Sequence, residues 1–446
     1  MRWTVLRRVA ISCLIALLAL PAAARTRPHY GGTLRVEVEG DPWQRPNGLA
    51  RRLMLDGLTR MDADGAAQAS LAVRWESENE DRRWQFHLRP GVHFHDGSPL
   101  TSAAVATSLT ASCGANCPWT AIHAVGSSVA FTGDAPMPNL PALLAGDEYL
   151  IAADAGGNIG TGAFQLSGFK DGVLTLAAND NCWQGRPFED AVEIHVHRSI
   201  RDQWLDLSVG RADLVEVPAE QLRQAREQRL TVLQSPPATL LALIVASTGA
   251  LGNPDLRAAI ALAVDRGALF NVIFQKQGEV TGSLLPSALT GYSFLFSAER
   301  DLNKSHEKHG GVTPPPLTMT AEGGGAMQLA AQRIALNLHD AGFNVQVVAA
   351  GGVRPADLAL RCLPLASNQP RAALEAMLRG AGMQSAVLEQ APAGIYKVER
   401  DFLETHTLIP LLYLPRAYAI GGRVRDLRSS PDGTPLLAGA SLQDTP

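Results

Sequence analysis

Trp84-Gln85-Phe86-His87-Leu88-Arg89-Pro90-Gly91-Val92-His93-Phe94-His95-Asp96-Gly97-Ser98-Pro99-Leu100-Thr101 is the most ordered pattern in this 446-residue chain. Trp84, Phe86 and Leu88 alternate with Gln85, His87 and Arg89, a period of two that puts the apolar side chains on one face of a half-buried strand. Pro90-Gly91 supplies a turn before Val92 and Phe94 resume the alternation. Thr101 then stands where a helix cap belongs, ahead of Val105 and Leu109.

Outward from this stretch the same short-strand signature returns. Leu34, Val36 and Val38 alternate after Gly31-Gly32, and Val192, Ile194 and Val196 alternate again. Phe164 and Leu166 precede a Lys170-Asp171-Gly172 turn that Leu174 and Leu176 follow, which predicts a hairpin. Leu214, Val215 and Val217 predict another strand. Helices are mixed among them. Asn253 can cap, Pro254 suits a first helical position and Asp255 complements the helix dipole; Leu256, Ala259, Ile260, Ala263 and Val264 then fall on one face. Met327, Ala331, Ile334, Ala335 and Leu338 mark a second helix that stops near Gly342, with Phe343, Val345 and Val347 alternating directly afterwards. Residues 306–316, polar and ending in three prolines, are expected to be a loop. The pattern is α/β without an internal repeat.

Composition bounds the function. With 46% hydrophobic and 18% charged residues the chain is globular, and its length predicts more than one core. A formal charge of −4 leaves no basic stripe for nucleic acid. Arg2, Arg7 and Arg8 precede an apolar run over residues 10–20 and the small residues Ala22, Ala23 and Ala24, the pattern of an export signal. Cleavage after Ala24 removes three arginines and no acid, taking the formal charge to −7. The run is too short to span a bilayer, and no later stretch approaches the required length of about 20 apolar residues. Cys13 lies inside the run, not after it, so no lipid anchor is expected. Of the four remaining cysteines, Cys113 and Cys117 can close a small structural loop in an oxidising compartment. Their spacing is not that of a Cys-x-x-Cys redox pair, and Cys182 and Cys362 remain open as a second pair.

The catalytic inventory is thin. His306-Glu307-Lys308-His309 is one residue short of a zinc-protease motif. His93 with His95, and His195 with His197, each share a strand face but read as well as outward polar residues. Gly160-Thr161-Gly162 lacks the third glycine of a dinucleotide loop, and Glu76, Glu78 and Glu80 read as a solvated face. No nucleophile elbow and no phosphate loop occur, so binding is expected before catalysis, with no cofactor and no metal.

The order of these segments resembles the extracellular solute-binding proteins of peptide-type ABC importers, family 5, which includes oligopeptide-, dipeptide- and nickel-binding proteins. The carrying residues are Tyr30-Gly31-Gly32-Thr33-Leu34, Asp56-Gly57-Leu58, Leu71-Ala72 before Trp75-Glu76, and above all residues 84–101. Gly160-Thr161-Gly162-Ala163-Phe164, Asn179 with Trp183-Gln184-Gly185-Arg186-Pro187, Gly210 with Asp213, residues 255–266 and Leu284-Leu285-Pro286 follow in order.

The resemblance implies an α/β, periplasmic binding protein-like fold (class II, cluster C type) with two lobes, an inserted subdomain and a double-crossover hinge. Residues 1–24 would be the signal peptide, 28–48, 158–237 and 408–446 lobe I, 49–157 the inserted subdomain and 238–407 lobe II, with crossings near residues 234–238 and 407–410. It further implies a periplasmic monomer that delivers a small-molecule or peptide ligand to an ABC permease in the inner membrane, unchanged. Peptide-binding members hold the peptide's amino terminus with an acidic residue before a proline; Ser367-Asn368-Gln369-Pro370 puts a neutral amide there. A zwitterionic peptide would lose that partner. Trp119, Arg361 and Asn368 are the expected ligand-binding residues, because aromatic and planar polar groups suit a polar ligand held between lobes. The alternatives are a secreted metal-dependent hydrolase using the histidines, and a binding protein diverted to sensing or scaffolding.

Overall fold

A computed structural model describes residues 30–40, 48–62, 66–113, 117–311, 314–349, 355–367, 369–383, 394–430 and 433–443. The export-signal reading at residues 1–24 and the candidate Asn368 lie outside them, as does the side chain of Cys113. The 84–101 stretch folds as its alternation dictates. Strand Arg83–Leu88 is an inner strand of a four-stranded antiparallel sheet, between Ala72–Glu78 and Ser128–Thr132. Trp84, Phe86 and Leu88 are buried, and Phe131 meets Phe86 edge-on at 5.4 Å. The Thr101 hydroxyl accepts from Ala104 N at 3.1 Å, capping helix Ser102–Cys113. This body has its own core, built on Leu58, Leu71, Phe86, Leu109, Trp119, Phe131 and Tyr149.

It is joined to the rest through helix Leu49–Met54 and the Gly160-Thr161-Gly162 segment. Gly162 N donates to Met54 O at 2.9 Å, satisfying a carbonyl at the end of that helix. The approach is so close that a Cβ at Gly160 would sit 2.1 Å from the same oxygen. The glycines of the apparent dinucleotide motif are there for backbone proximity.

The larger sheet has eleven strands among the described residues. At one end the hairpin Phe164–Lys170/Val173–Ala178 pairs with Ala191–His195, then in parallel with Thr33–Glu37 and Leu214–Glu216. At the other, Leu358–Pro364, Leu317–Ala321 and Val345–Val347 are covered by helices Pro254–Ala263 and Gly325–Asp340. Two long antiparallel strands, Thr231–Val245 and Leu408–Ile420, connect the ends. Their register breaks between Gln234 and Thr239, where Pro237 faces Pro415. Neither proline has an N–H to donate, so the ladder is interrupted on both strands at one place.

The cores divide at that interruption. Ala417, Tyr418 and Ala419 pack with Leu34, Val36, Leu214 and Leu222 on one side; Leu408, Ile409, Leu411, Leu412 and Tyr413 pack with Leu240 to Leu243 on the other. Residues 408–414, grouped above with lobe I, therefore share the cores of residues 238–407, because pairing with strand 239–245 buries both faces. A second difference concerns residues 306–316. Leu302–His309 is a helix, capped by Asp301 accepting from Lys304 N at 3.0 Å and ended by Gly310 at φ 64°. Ser305, fully buried, donates to Ala259 O at 2.8 Å. The prolines only bound the helix, which one cap and one anchor suffice to form.

Asp213 ties three separated segments. Its buried carboxylate receives Arg35 Nε at 3.1 Å, Arg423 Nε at 2.6 Å and Arg35 N at 2.8 Å. Burial alone would raise this carboxyl, but the hydrogen bonds from Arg423 and Arg35 outweigh it and hold it below the usual range. The stability it adds is therefore complete above the unfolded value of about 3.9 and lost as pH falls through the lower folded value. Asp213→Asn is expected to cost about 3 kcal/mol by urea melts at pH 7, since two guanidinium groups lose their partner. The same melts should show the cost shrinking as the wild-type carboxyl is protonated. Gly160→Ala is expected to cost about 3 kcal/mol in the same assay, because the obstructing atom is backbone and cannot swing away.

Candidate functional site

Where the three bodies meet they enclose a cavity of about 300 Å³, within the range of small-molecule sites. One wall comes from the 55–61 segment and residues 142–150, a second from the end of strand Leu358–Pro364 with helix Pro370–Gly380, and a third from Ser430, Leu436 and Ala438. Pro370 starts the helix in a position where no N–H is needed. Ala372, Ala376 and Gly380 recur every fourth residue on its cavity face. These small residues leave the space that larger ones would fill.

The polar groups are few and placed. Asp56 accepts from Thr161 Oγ1 at 2.8 Å and Trp183 Nε1 at 2.9 Å, with Gln184 Nε2 at 3.4 Å; burial pushes its carboxyl up despite these donors. Arg52 Nε meets Asp147 Oδ1 at 2.6 Å. Arg379 crosses the cavity from its helix: Nη1 donates to Tyr149 Oη at 3.0 Å, Nε lies 3.5 Å from Glu148 Oε2, and the guanidinium stands 5.8 Å from the Tyr149 ring centre. Burial pushes the Tyr149 hydroxyl up to about 12, so it faces Arg379 as a neutral phenol.

The residues expected at the site are dispersed. Trp119 is buried in the core of the four-stranded body, 4.9 Å from the Phe131 ring and 5.7 Å from Tyr149, and does not line the cavity. Arg361 pairs with Glu322 at 2.8 Å on the same strand as Leu363 but outside the cavity lining. Asn368 lies outside the described residues; its neighbour Ser367 lines the cavity and accepts from Gln369 N at 3.0 Å. Cys117 is disulfide-bonded, whereas Cys182 and Cys362 are free thiols and do not pair.

The histidines serve elsewhere. His95 Nδ1 accepts from Gly160 N at 3.2 Å and Nε2 faces Gly162 O at 3.1 Å, a strut for the glycine segment. His306 Nε2 faces Asp340 O at 2.9 Å, and His309 meets the Phe343 ring edge-on at 4.8 Å. His195 Nε2 is 4.0 Å from Glu193 Oε2. Among the described residues no group of three or more His, Cys, Asp or Glu side chains is arranged to hold a metal ion. Arg379, Tyr149 and Glu148 were not singled out by sequence, since 230 positions separate Arg379 from Tyr149. The recurrence of small residues beside Arg379 was the one local sign.

Residues 66–354 match the model of the bacterial extracellular solute-binding proteins, family 5 Middle. The chain is 25% identical over 333 residues to the probable D,D-dipeptide-binding periplasmic protein DdpA of Escherichia coli (strain K12), covering 66% of this chain and 59% of that protein. It is 24% identical over 405 residues to the probable di/tripeptide-binding protein 5 of Pseudomonas aeruginosa (strain UCBPP-PA14), covering 77% and 76%. The match to the uncharacterized protein YhjP of Bacillus subtilis (strain 168), 34% over 167 residues, takes in 34% of this chain and 29% of that protein, so the chain spans less than two thirds of some of these curated relatives. Among solved structures, AgaA from A. tumefaciens R10 in complex with agropinic acid superposes with a TM-score of 0.81 at 19% identity, over 93% of this chain and 99% of that one. The oligopeptide-binding protein AppA from Bacillus subtilis, in complex with a nonapeptide, gives 0.79 at 17% identity, over 94% and 100%. At such identities the likeness establishes a shared fold, an α/β architecture with a large mixed sheet. Since the family model takes in well over half of the sequence, the chain belongs to the bacterial extracellular solute-binding proteins, family 5.

Proposed function

We propose that the chain is the receptor of an ABC importer, which captures a peptide-like or other small polar solute between its lobes and hands it unchanged to a permease in the inner membrane. The observation that carries this reading is the Arg379 bridge to Tyr149 and Glu148 across a cavity walled by three bodies. A ligand held there touches elements on both sides of the Pro237–Pro415 interruption, and so favours the closed arrangement by whatever affinity it has for that state alone. The relatives' names, as periplasmic and as peptide-binding proteins, support the same reading.

In this account residues 1–24 direct export and are removed, leaving a periplasmic monomer. No helix among the described residues is long and apolar enough to cross a membrane. Lobe I comprises residues 28–48, 158–237 and the stretch after Pro415; the inserted subdomain comprises 49–157; lobe II comprises 238–407 together with 408–414. Trp119, which packs on Phe131, and Arg361, which pairs with Glu322, are kept with Asn368 as proposed ligand contacts.

Native mass spectrometry of freshly purified protein is expected to reveal a co-purified small molecule. Adding that molecule at 100 times its Kd should stabilise the fold by about 2.7 kcal/mol, read as a rise in Tm, and the molecule should be recovered with its mass unchanged. Recovery of a hydrolysed product would contradict the proposal.

A further inference from the structure

We infer that His95 is an acid-sensitive joint between the four-stranded body and the large sheet: a proton taken up by its ring breaks its hold on Gly160-Thr161-Gly162 and loosens the cavity wall that this segment supports. The ring stands just beyond the 84–94 stretch of the four-stranded body, and the segment it grips leads directly into strand Phe164–Lys170 of the large sheet. Three contacts join them. His95 N donates to Gly160 O at 2.8 Å, Gly160 N donates to Nδ1 at 3.2 Å, and Nε2 lies 3.1 Å from Gly162 O. An amide N–H can only donate and a carbonyl can only accept, so these partners fix a neutral ring with its proton on Nε2. The Asn179 side-chain amide donates to the same Gly162 oxygen at 3.0 Å.

A second proton has to go to Nδ1, where it faces the Gly160 N–H with no acceptor between them. The segment has little room to yield. A Cβ on Gly160 would stand 2.1 Å from Met54 O and one on Gly162 2.5 Å from Leu53 O, so backbone is already pressed against backbone there. The charged groups that face the ring are acidic. Asp96 lies on its own turn and accepts from Ser98 N and Ser98 Oγ. Asp56 faces it from the 55–61 segment, with the Thr161, Trp183 and Gln184 donors on its oxygens, the Arg60 charge beyond and the buried Cys182 thiol beside it. Burial outweighs the Gly162 carbonyl and these two carboxylates, all of which favour a protonated ring, and holds the imidazole below its ordinary value. The stability that the contact adds is therefore complete above the unfolded value of about 6.5 and is lost as pH falls from there through the lower folded value.

The joint reaches the cavity through two bonds of the gripped segment. Thr161, fully buried between the two glycines, donates to Asp56 Oδ2, and Asp56 lines the cavity. Gly162 N holds Met54 O, at the end of the helix that leads into the 55–61 wall. A segment released by His95 takes both bonds with it.

The test is a pH titration of the full mature chain, labelled with nitrogen-15 at histidine, by long-range proton–nitrogen NMR. The His95 ring is expected as the Nε2–H tautomer at pH 7.5 and to titrate below about 6.5. Hydrogen exchange corrected for intrinsic rates is expected to show residues 159–163 losing protection by about threefold or more between pH 7.5 and 5.0. His95→Gln keeps an acceptor and a donor on the side chain but takes up no proton, and should flatten this dependence. His93→Gln, whose native ring turns to Gly91 O of its own turn, should leave it as in the wild type. Where His95→Gln does not fold, the ring titration and the exchange of the wild type decide. An Nδ1–H tautomer, a titration at or above about 6.5, equal protection at both pH values, or a dependence that persists in His95→Gln and so belongs to Asp56 would each overturn the inference while leaving the receptor reading standing.

Discussion

Two prolines facing each other on paired strands are the constraint on which the architecture turns. Pro237 opposite Pro415 leaves the long strand pair that connects the two ends of the sheet without backbone donors at that point, between register shifts on either side, and a further shift follows at Leu241/Ala242. Each end of the sheet packs largely on cores of its own, with Ala219 reaching into the core of the other end. Strain and motion concentrate where the hydrogen bonding is sparse. The Ser235 hydroxyl, which accepts from Arg416 N at 3.0 Å, keeps the crossing ordered without restoring a ladder.

Two buried carboxylates hold their surroundings by collecting donors. Within lobe I, Asp213 collects two arginines at a junction that has no reason to move, and within lobe II Glu399 accepts from Ser283, Leu284 N, Leu285 N and Tyr292. These carboxylates are saturated with donors and act as fixed posts. At the cavity Arg379 hydrogen-bonds Tyr149 through Nη1 and lies 3.5 Å from Glu148, while its Nε and Nη2 are buried without a hydrogen bond. Unsatisfied charge is not confined to the cavity, since both carboxylate oxygens of the fully buried Glu189 also lack a hydrogen-bond partner among the described residues.

Local order was legible in the sequence and distant meeting points were not. Residues 84–101, the Thr101 and Asn253 caps, the hairpin at Lys170-Asp171-Gly172 and the helix ending near Gly342 all depend on neighbours within a few positions, and each forms as its pattern dictates. The 306–316 segment is helical as far as His309, despite its prolines, because the Asp301 cap, five residues upstream of His306, starts the helix. Residue type alone points to Trp119 and Arg361, whereas packing against Phe131 and pairing with Glu322 depend on where other elements arrive. Arg379 carries no motif. Its role comes from a helix start at Pro370, a run of small residues and a tyrosine from another body, which only the folded chain brings together.

Small-angle X-ray scattering of the mature protein, before and after addition of its co-purified solute, bears most directly on whether lobes joined at Pro237 and Pro415 close on a guest. The account predicts a smaller radius of gyration with solute, returning to the starting value when the solute is dialysed away intact. A scattering profile that is the same with and without saturating solute would contradict it.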